Sequence, residues 1–232
     1  MSKVVLITGT SRGLGKFLID HYLDRGFTVL GCSRSSVSNE RAGYHHYCLD
    51  IGDSKASAKL FVDIRKVHKR LDILINNAAV FSKNLVAMTT DSAIVEMVDT
   101  NLKAAMVFSR EACRIMQRNG FGRIVNISSI AVPLKERGAA VYAASKAALE
   151  HFGEVLAREV YGDGITVNNV SLSLVKGSGM LELLSSEVRE HMLARTVAGQ
   201  YISIDDVVHV IDFLIDEGSK NITAQTICVG GA

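Results

Sequence analysis

Apolar residues along the chain alternate between short continuous runs and longer segments with helical spacing. The first run, Lys3–Thr8, is apolar on both faces and rich in β-branched residues, which is typical of a buried parallel strand. The next segment, Gly13–Arg25, repeats apolar positions at the spacing of a helix face. The same pattern predicts further strands at 27–32, 44–49, 71–76, 122–128, 165–170 and 225–229, and helices at 54–68, 90–100, 102–118, 142–161, 181–195 and 204–215.

This alternation of strands and helices predicts βαβ units and a parallel sheet. A length of 232 residues suits one domain, and no change in composition marks a boundary. We therefore predict an α/β fold in which residues 1–232 form a single Rossmann-type domain. Its doubly wound parallel sheet has about seven strands, with helices on both faces. Segment 175–200 lies outside the alternation, and we interpret it as a lid at the carboxyl ends of the strands, the alternative being an irregular loop.

Composition narrows the possible classes of protein. The net charge is +2, from 26 basic and 24 acidic residues, and this balance does not suggest a nucleic-acid partner. No apolar stretch is long enough to span a membrane, and the N-terminus does not resemble a signal peptide. The four cysteines lie far apart without a CxxC pair, so no metal site is expected. We expect a reduced, cytoplasmic protein.

A glycine-rich segment, Thr8–Gly15, directly follows the first predicted strand and opens the first helix. Its glycines let the backbone turn tightly and approach a pyrophosphate, while the helix N-terminus offers free N–H groups and a positive dipole end. A tight turn with packing glycines is the alternative. The position between a strand and a helix favours a dinucleotide site.

The sequence TGTSRGLG of this segment resembles the TGxxxGxG signature of the short-chain dehydrogenase/reductase family. Other family motifs follow in order along almost the whole chain, with Ala79 in place of the last glycine of an NNAG element. The matches are Asn76–Ala79, Asn101, Ile127–Ser129, the YxxxK motif Tyr142–Lys146, and the C-terminal segment Ile222–Gly231. The overall pattern is most similar to 3-oxoacyl-[acyl-carrier-protein] reductases and related ketoreductases.

The resemblance implies four catalytic residues. Tyr142 would be the acid/base, and Lys146 would hold the nicotinamide ribose and lower the pKa of the tyrosine. The two lie four residues apart, on one helix face, and a nearby ammonium stabilises a phenolate. Ser129, thirteen residues before Tyr142, would hydrogen-bond the reacting oxygen, with the adjacent Ser128 as its competitor. Asn101 would hold a water that links Lys146 to solvent, or else simply begin a helix.

The end of the second strand indicates the cofactor. Residues 31–35 contain no acid that would bind a ribose 2′-OH, whereas Arg34 is available there and Arg12 projects from the glycine turn. Guanidinium groups suit a 2′-phosphate, so NADP(H) is predicted, unless both arginines are simply solvated. The resemblance implies further cofactor contacts from Gly9, Ser11, Gly13, Leu14, Gly15, Asp50, Ile51, Asn77, Ala78 and Val175, and from Tyr142 and Lys146.

The predicted activity is NADPH-dependent reduction of a ketone, first of a 3-oxoacyl thioester carried by acyl carrier protein in fatty-acid or polyketide-type biosynthesis. A carbonyl or sugar-type reductase acting on a free small molecule is the rival enzyme, and a nucleotide-sensing binding protein is the alternative from another class. Two departures from the family pattern bear on this choice. Leu172-Ser173 replaces a Pro-Gly that contacts the nicotinamide amide in relatives, and Asp163 would repel an acidic carrier. Basic residues that could compensate are Arg118, Arg123, Lys135 and Arg137.

The resemblance also implies a homotetramer or homodimer, formed by the helices at 102–118 and 142–161 and the last strand. Phe152, Val155 and Leu156 are candidates for such an interface, and they could equally face the sheet.

Overall fold

The strands form one parallel sheet in a computed structural model that describes residues 2–37 and 41–232. Its order is β3-β2-β1-β4-β5-β6-β7, and every neighbouring pair is parallel. The strands are β1 Val4–Thr8, β2 Thr28–Ser33, β3 Tyr44–Cys48, β4 Ile73–Asn76, β5 Gly122–Ser129, β6 Ile165–Leu172 and β7 Thr226–Val229. The predicted α/β fold with a seven-stranded sheet is confirmed.

Eight α-helices connect or follow the strands in the described part of the chain. They are α1 Gly13–Asp24, α2 Ser54–Asp63, α3 Asp91–Val98, α4 Ala104–Asn119, α5 Ala131–Leu134, α6 Ala140–Val160, α7 Ser186–Leu193 and α8 Ile204–Ile215. A π-helical turn, Ile64–His68, follows α2, and another, Asp99–Lys103, joins α3 to α4. None of the described helices is both long and apolar enough to cross a bilayer.

Apolar side chains cover both faces of the sheet, as expected for parallel strands between two helix layers. Alternate strand residues such as Leu6, Leu74 and Ile124 belong to a cluster that contains side chains of α2, α4 and α6. Their neighbours Ile7 and Ile75 belong to a second cluster, with side chains of α1 and α8. Most strands therefore have apolar residues on both faces, which explains why their sequences read as largely continuous apolar runs.

Local predictions were wrong at several helix ends. The sequence indicates Ser54 as a plausible N-cap for the helix predicted at 54–68. The cap is instead Asp53, whose carboxylate accepts the backbone N–H groups of Lys55 and Ala56 at 2.8 and 3.3 Å. The two helices predicted over 90–118 form one helical run, because the π turn continues α3 into α4 without a break. Helix α5 was not predicted, and β5 and β6 each reach beyond their predicted ends, to Ser129 and Leu172.

Helix α6 lies unusually close to the sheet. Beneath it, a ladder of buried amides crosses three strands: Asn76 Nδ2 donates to Asn126 Oδ1 at 2.8 Å, and Asn126 Nδ2 donates to Asn169 Oδ1 at 3.0 Å. Asn169 also donates to the backbone oxygen of Glu150 on α6 at 3.2 Å. A Cβ atom at Gly153 would lie 2.6 Å from Asn169 Oδ1. Only a glycine therefore lets α6 approach the ladder this closely.

The three candidate interface residues on α6 differ in exposure. Leu156 is buried in the core, Phe152 packs partly against it, and Val155 is 42% exposed. Of these side chains, Val155 is the one that remains available to a second subunit.

Candidate active site

A large cleft of ≈ 1070 Å³ opens at the carboxyl ends of the strands. It passes over the point where the connections from β1 and β4 run to opposite sides of the sheet, which is where open α/β sheets bind ligands. The predicted cofactor residues Gly9, Ser11, Arg12, Gly13, Leu14, Arg34, Asp50, Ile51, Asn77, Ala78 and Val175 line it, as do the predicted catalytic residues Ser129, Tyr142 and Lys146. Gly15 packs beneath the turn, and Asn101 is buried beside the site.

The glycine turn has the shape that a pyrophosphate requires. Gly9 has a φ of +75°, and a Cβ there would lie 2.8 Å from Ala78 Cα, while a Cβ on Gly15 would lie 2.2 Å from Gly9 O. Helix α1 then begins at Gly13 without a side-chain cap on its N-terminal N–H groups. Because Gly13 and Leu14 at the start of this helix line the cleft, the turn fits the phosphates of a dinucleotide.

Asn77 supports this turn with its side chain. Its Nδ2 donates to the backbone oxygens of Thr8 and Gly9, at 2.9 and 3.2 Å. Beside the cofactor contact that the resemblance implies for Asn77, its side-chain amide therefore braces the glycine turn.

One end of the cleft is lined by the residues at and after the end of β2, where Arg34 lies between Ser33 and Ser35. The Arg34 guanidinium is 66% exposed and pairs with the Glu96 carboxylate on α3 at 3.5 Å. Arg12 extends along the lid segment instead. Its Cδ and Nε atoms lie 3.5 Å from the position that a Cβ on Gly179 would occupy.

The tyrosine and lysine of the YxxxK motif lie on one face of α6 and are almost fully buried. Burial raises the pKa of Tyr142 to about 12, opposed by a hydrogen bond with Ser129. Burial lowers the pKa of Lys146 to about 8, and the charge of Glu150 opposes that shift. The Lys146 Nζ donates to Ile127 O at 2.7 Å. The expected lowering of the Tyr142 pKa is not found, because burial outweighs the favourable contacts in this state.

The two neighbouring serines are distinguished by their partners. Ser129 contacts Tyr142, and its Oγ also accepts the N–H of Ala131 at 3.1 Å. Ser128 Oγ donates to Glu150 Oε1 at 2.5 Å. The geometry thus favours Ser129 over Ser128 as the hydroxyl beside the reacting group.

Asn101 occupies the π turn between α3 and α4 and is 1% exposed. Its amide accepts from Val80 N at 2.8 Å and donates to Val80 O and to Ser145 Oγ, at 2.9 and 3.1 Å. The side chain therefore joins the loop after β4 to α6, close to Tyr142 and Lys146.

The other side of the cleft is mainly apolar. The Phe81 ring meets the Tyr142 ring edge-on at 4.9 Å, and Met180 Sδ lies 3.9 Å from the Tyr142 hydroxyl. Segment 175–200 contributes Ser178, Gly179, Met180, Leu181, Leu184, Val188 and Met192 to the lining. This segment is thus placed where a lid is predicted, and Glu136 joins it to the loop before α6 by an ion pair with Arg195.

Ser173, which stands where the family has glycine, offers a free polar group. Its backbone N–H donates to Val229 O at 3.1 Å, and its hydroxyl is buried at the cleft wall without a partner. An unpaired donor there suits the amide of a nicotinamide ring. With the glycine turn, this indicates that the residues present fit a nicotinamide dinucleotide.

Three contributors were missed by sequence reasoning. Phe81 and Met180 carry no motif, and their proximity to Tyr142 depends on loop conformation. Glu150 could have been found, because it lies one helical turn after Lys146.

A dinucleotide-type cleft with a buried tyrosine–lysine pair beside a serine hydroxyl defines a nicotinamide-dependent oxidoreductase. Comparison with known proteins identifies the family. Residues 3–189 match the short chain dehydrogenase family, and the chain belongs to it.

Curated relatives match the chain over nearly its full length. It is 31% identical to 3-oxoacyl-[acyl-carrier-protein] reductase FabG of Salmonella typhimurium, covering 99% of this chain and 96% of the relative. It is 34% identical to the reductase of the same name from Rickettsia conorii, covering 99% and 95%.

Solved structures share the fold. A 4-hydroxyisoleucine dehydrogenase complexed with NADH is 26% identical, with a TM-score of 0.88 over 99% of this chain and 98% of that one. A short chain dehydrogenase from Leptospira borgpetersenii with bound NAD+ is 27% identical, with a TM-score of 0.89 over 100% and 92%. ElxO with NADP bound is 26% identical, with a TM-score of 0.89 over 99% and 97%.

Proposed function

We propose that this protein reduces a ketone to a secondary alcohol with NADPH, and that its substrate is a 3-oxoacyl thioester carried by acyl carrier protein. The observation that carries the reduction is the Tyr142 hydroxyl, buried between Ser129 and the apolar side of the cleft. The relatives named 3-oxoacyl-[acyl-carrier-protein] reductase, 31% and 34% identical, support the substrate.

The residues divide the work of the reaction. When bound, a nicotinamide would supply the hydride to the carbonyl carbon. Tyr142 gives its proton to the carbonyl oxygen, because a positioned acid lowers the barrier to alkoxide formation. Ser129 donates a hydrogen bond to the same oxygen and orients it. Lys146 holds the ribose, and Asn101 fixes the loop after β4 against α6.

The preference for NADPH rests on the segment after β2. It presents Arg34 and the hydroxyl of Ser35, and no carboxylate follows the strand through Val37. A 2′-phosphate fits this set through charge-assisted hydrogen bonds. The fold by itself does not select between the phosphorylated and the unphosphorylated cofactor, since similar structures hold NADH, NAD+ or NADP.

Docking of a carrier protein depends on basic residues near the cleft, and the structure corrects one of those considered. Arg123 is 2% exposed at the beginning of β5, the opposite end of the strand from the cleft, and its guanidinium stacks on Phe121. It cannot receive an acidic partner. Asp163 directly precedes β6, so it lies at the same end of the sheet as Arg123, away from the cleft, where it accepts from Gln117 Nε2 at 2.8 Å. Its charge therefore does not bear on docking at the cleft. Lys83 lines the cleft and is available to a carrier.

A free small-molecule carbonyl is the second candidate substrate. The observation that favours it is the likeness of the fold to solved dehydrogenases named for small molecules. Similar structures include a 4-hydroxyisoleucine dehydrogenase and a putative gluconate dehydrogenase.

We further propose a homotetramer or homodimer that covers Val155 of α6, and light scattering of the purified protein would measure its mass.

The decisive assay follows NADPH absorbance with a 3-oxoacyl group on carrier protein and on a small thiol. Faster turnover of the carrier-bound form is expected. Tyr142→Phe should reduce kcat by about 10² to 10⁴-fold while leaving NADPH binding intact. Turnover of free carbonyls but of neither thioester would move the assignment to the second candidate. An unchanged kcat in Tyr142→Phe would contradict the reductase mechanism itself.

A further inference from the structure

Helix α6 carries a third polar residue on the face that bears Tyr142 and Lys146. Glu150 lies one turn beyond Lys146 and is of intermediate exposure. Its Oε1 accepts the hydroxyl of Ser128 at 2.5 Å. Residues 142, 146 and 150 therefore repeat at the four-residue interval that aligns side chains along a helix.

These three residues engage three consecutive positions at the end of β5. Lys146 Nζ donates to the backbone oxygen of Ile127, Glu150 accepts from Ser128, and Tyr142 contacts Ser129. Glu150 thus holds Ser128, which lies between Ile127, whose backbone oxygen accepts from Lys146, and Ser129, which carries the catalytic hydroxyl. Its loss would free Ser128 and leave the ammonium of Lys146 without a neighbouring carboxylate.

The surroundings of Lys146 make that carboxylate important. The lysine is 2% exposed, and burial favours its neutral form. On α6, Tyr142 and Glu150 lie one turn to either side of it. On β5, its ammonium meets the Ile127 backbone oxygen, next to the hydroxyls of Ser128 and Ser129. In the π turn, the Asn101 amide binds Ser145, the residue before Lys146. The other charged residues that line the cleft are Arg12, Lys16, Asp20, Arg34, Asp50, Lys83 and Glu136. Among the described residues, Glu150 is the charged group that acts on Lys146 against its burial.

We propose that Glu150 is a positioning residue that keeps Lys146 cationic and anchors the end of β5 through Ser128. It touches neither substrate nor cofactor and acts through these two neighbours. The inference rests on the proposed reductase function for its purpose, since a cationic Lys146 is needed to hold the ribose.

The test titrates NADPH affinity of the full chain by fluorescence, from about pH 6.5 to about pH 10. The break in affinity at alkaline pH reports loss of the Lys146 proton in the free protein. Glu150→Gln retains an acceptor for Ser128 and removes only the charge, so the break should move to lower pH by about one unit. Glu150→Asp should restore it in part. Ser128→Ala keeps the charge and removes the hydrogen bond, so its break should stay near that of the wild type.

Glu154→Gln is the matched control, one turn farther from Lys146 on the same helix. An unchanged break in Glu150→Gln, even with a lower melting temperature, would show a merely structural role and overturn the proposal. Equal shifts in both glutamine variants would also overturn it, because the effect would then be the general charge of α6. The titration needs no substrate, so failure to reduce 3-oxoacyl thioesters would reject the proposed substrate without touching this result.

Discussion

Replacing Arg34 with alanine tests how the protein selects its cofactor. Arg34 follows β2 on the cleft wall, where a cofactor's adenosine ribose is expected. Its guanidinium is 66% exposed and lies 3.5 Å from the Glu96 carboxylate. A bound 2′-phosphate would compete with Glu96 for this cation, whereas the ribose 2′-OH of NADH would not.

The expected magnitude follows from those two facts. A hydrogen bond to a charged group contributes about 1.5 to 3 kcal/mol. Solvent screening at an exposed side chain and competition from Glu96 reduce this to about 1.4 kcal/mol, which is a tenfold change in affinity. Arg34→Ala should therefore weaken NADPH binding about tenfold and leave NADH binding unchanged.

Fluorescence titration of both cofactors against the wild type and the variant measures this difference. Glu96→Gln is the informative companion, because it removes the competing carboxylate and should tighten NADPH binding by about twofold. Added salt should weaken NADPH binding more than NADH binding. Equal losses for both cofactors in Arg34→Ala would refute the reasoning, since the arginine would then not read the 2′-phosphate.

Two further predictions concern stability. Gly15→Ala places a Cβ 2.2 Å from Gly9 O, so it should lower the free energy of unfolding by about 1 to 3 kcal/mol and abolish NADPH binding. In the control Gly162→Ala the new Cβ meets nothing within 4 Å, so the urea midpoint should change little. Equal urea midpoints in the two variants would contradict the packing argument. Burial and the neighbouring His45 lower the pKa of His68 in the folded protein, so as the pH falls the unfolded chain binds the His68 proton at a higher pH than the folded protein does. Stability should therefore fall as the pH drops below about 6.5. Urea midpoints across that range should fall less in His45→Gln, and an identical fall would show that His45 does not act on His68.

Much of the fold could be predicted from local sequence, because each strand is apolar at successive positions and each long helix has a periodic face. Helix ends were harder. Asp53 and Ser54 are both good capping residues, and only the path of the backbone selects Asp53. The π turn at 99–103 shifts the hydrophobic period without ending the helix, so the sequence of one helical run predicts two helices.

The motif residues of the site were readable because their spacing reflects strand ends and helix turns. The contacts between loops could not be read from the sequence in this way. Arg12 extends along Gly179, and Met180 reaches the Tyr142 hydroxyl, since segment 175–200 folds back over the cleft. Arg123 was expected among accessible basic residues, yet its position at the beginning of β5 buries it far from the cleft.

The amide ladder under α6 is part of the active site although none of its members faces the substrate. A helix is a stiff rod that rises about 1.5 Å per residue, so Tyr142 lies about 16 Å along α6 from Gly153. Because Gly153 packs against Asn126 and Asn169, the sheet fixes the distance between the whole helix and the sheet surface. Any side chain at that position would lift one end of α6 and tilt the other relative to Ser129. The distance between the acid and the orienting hydroxyl is therefore determined by a glycine three turns away.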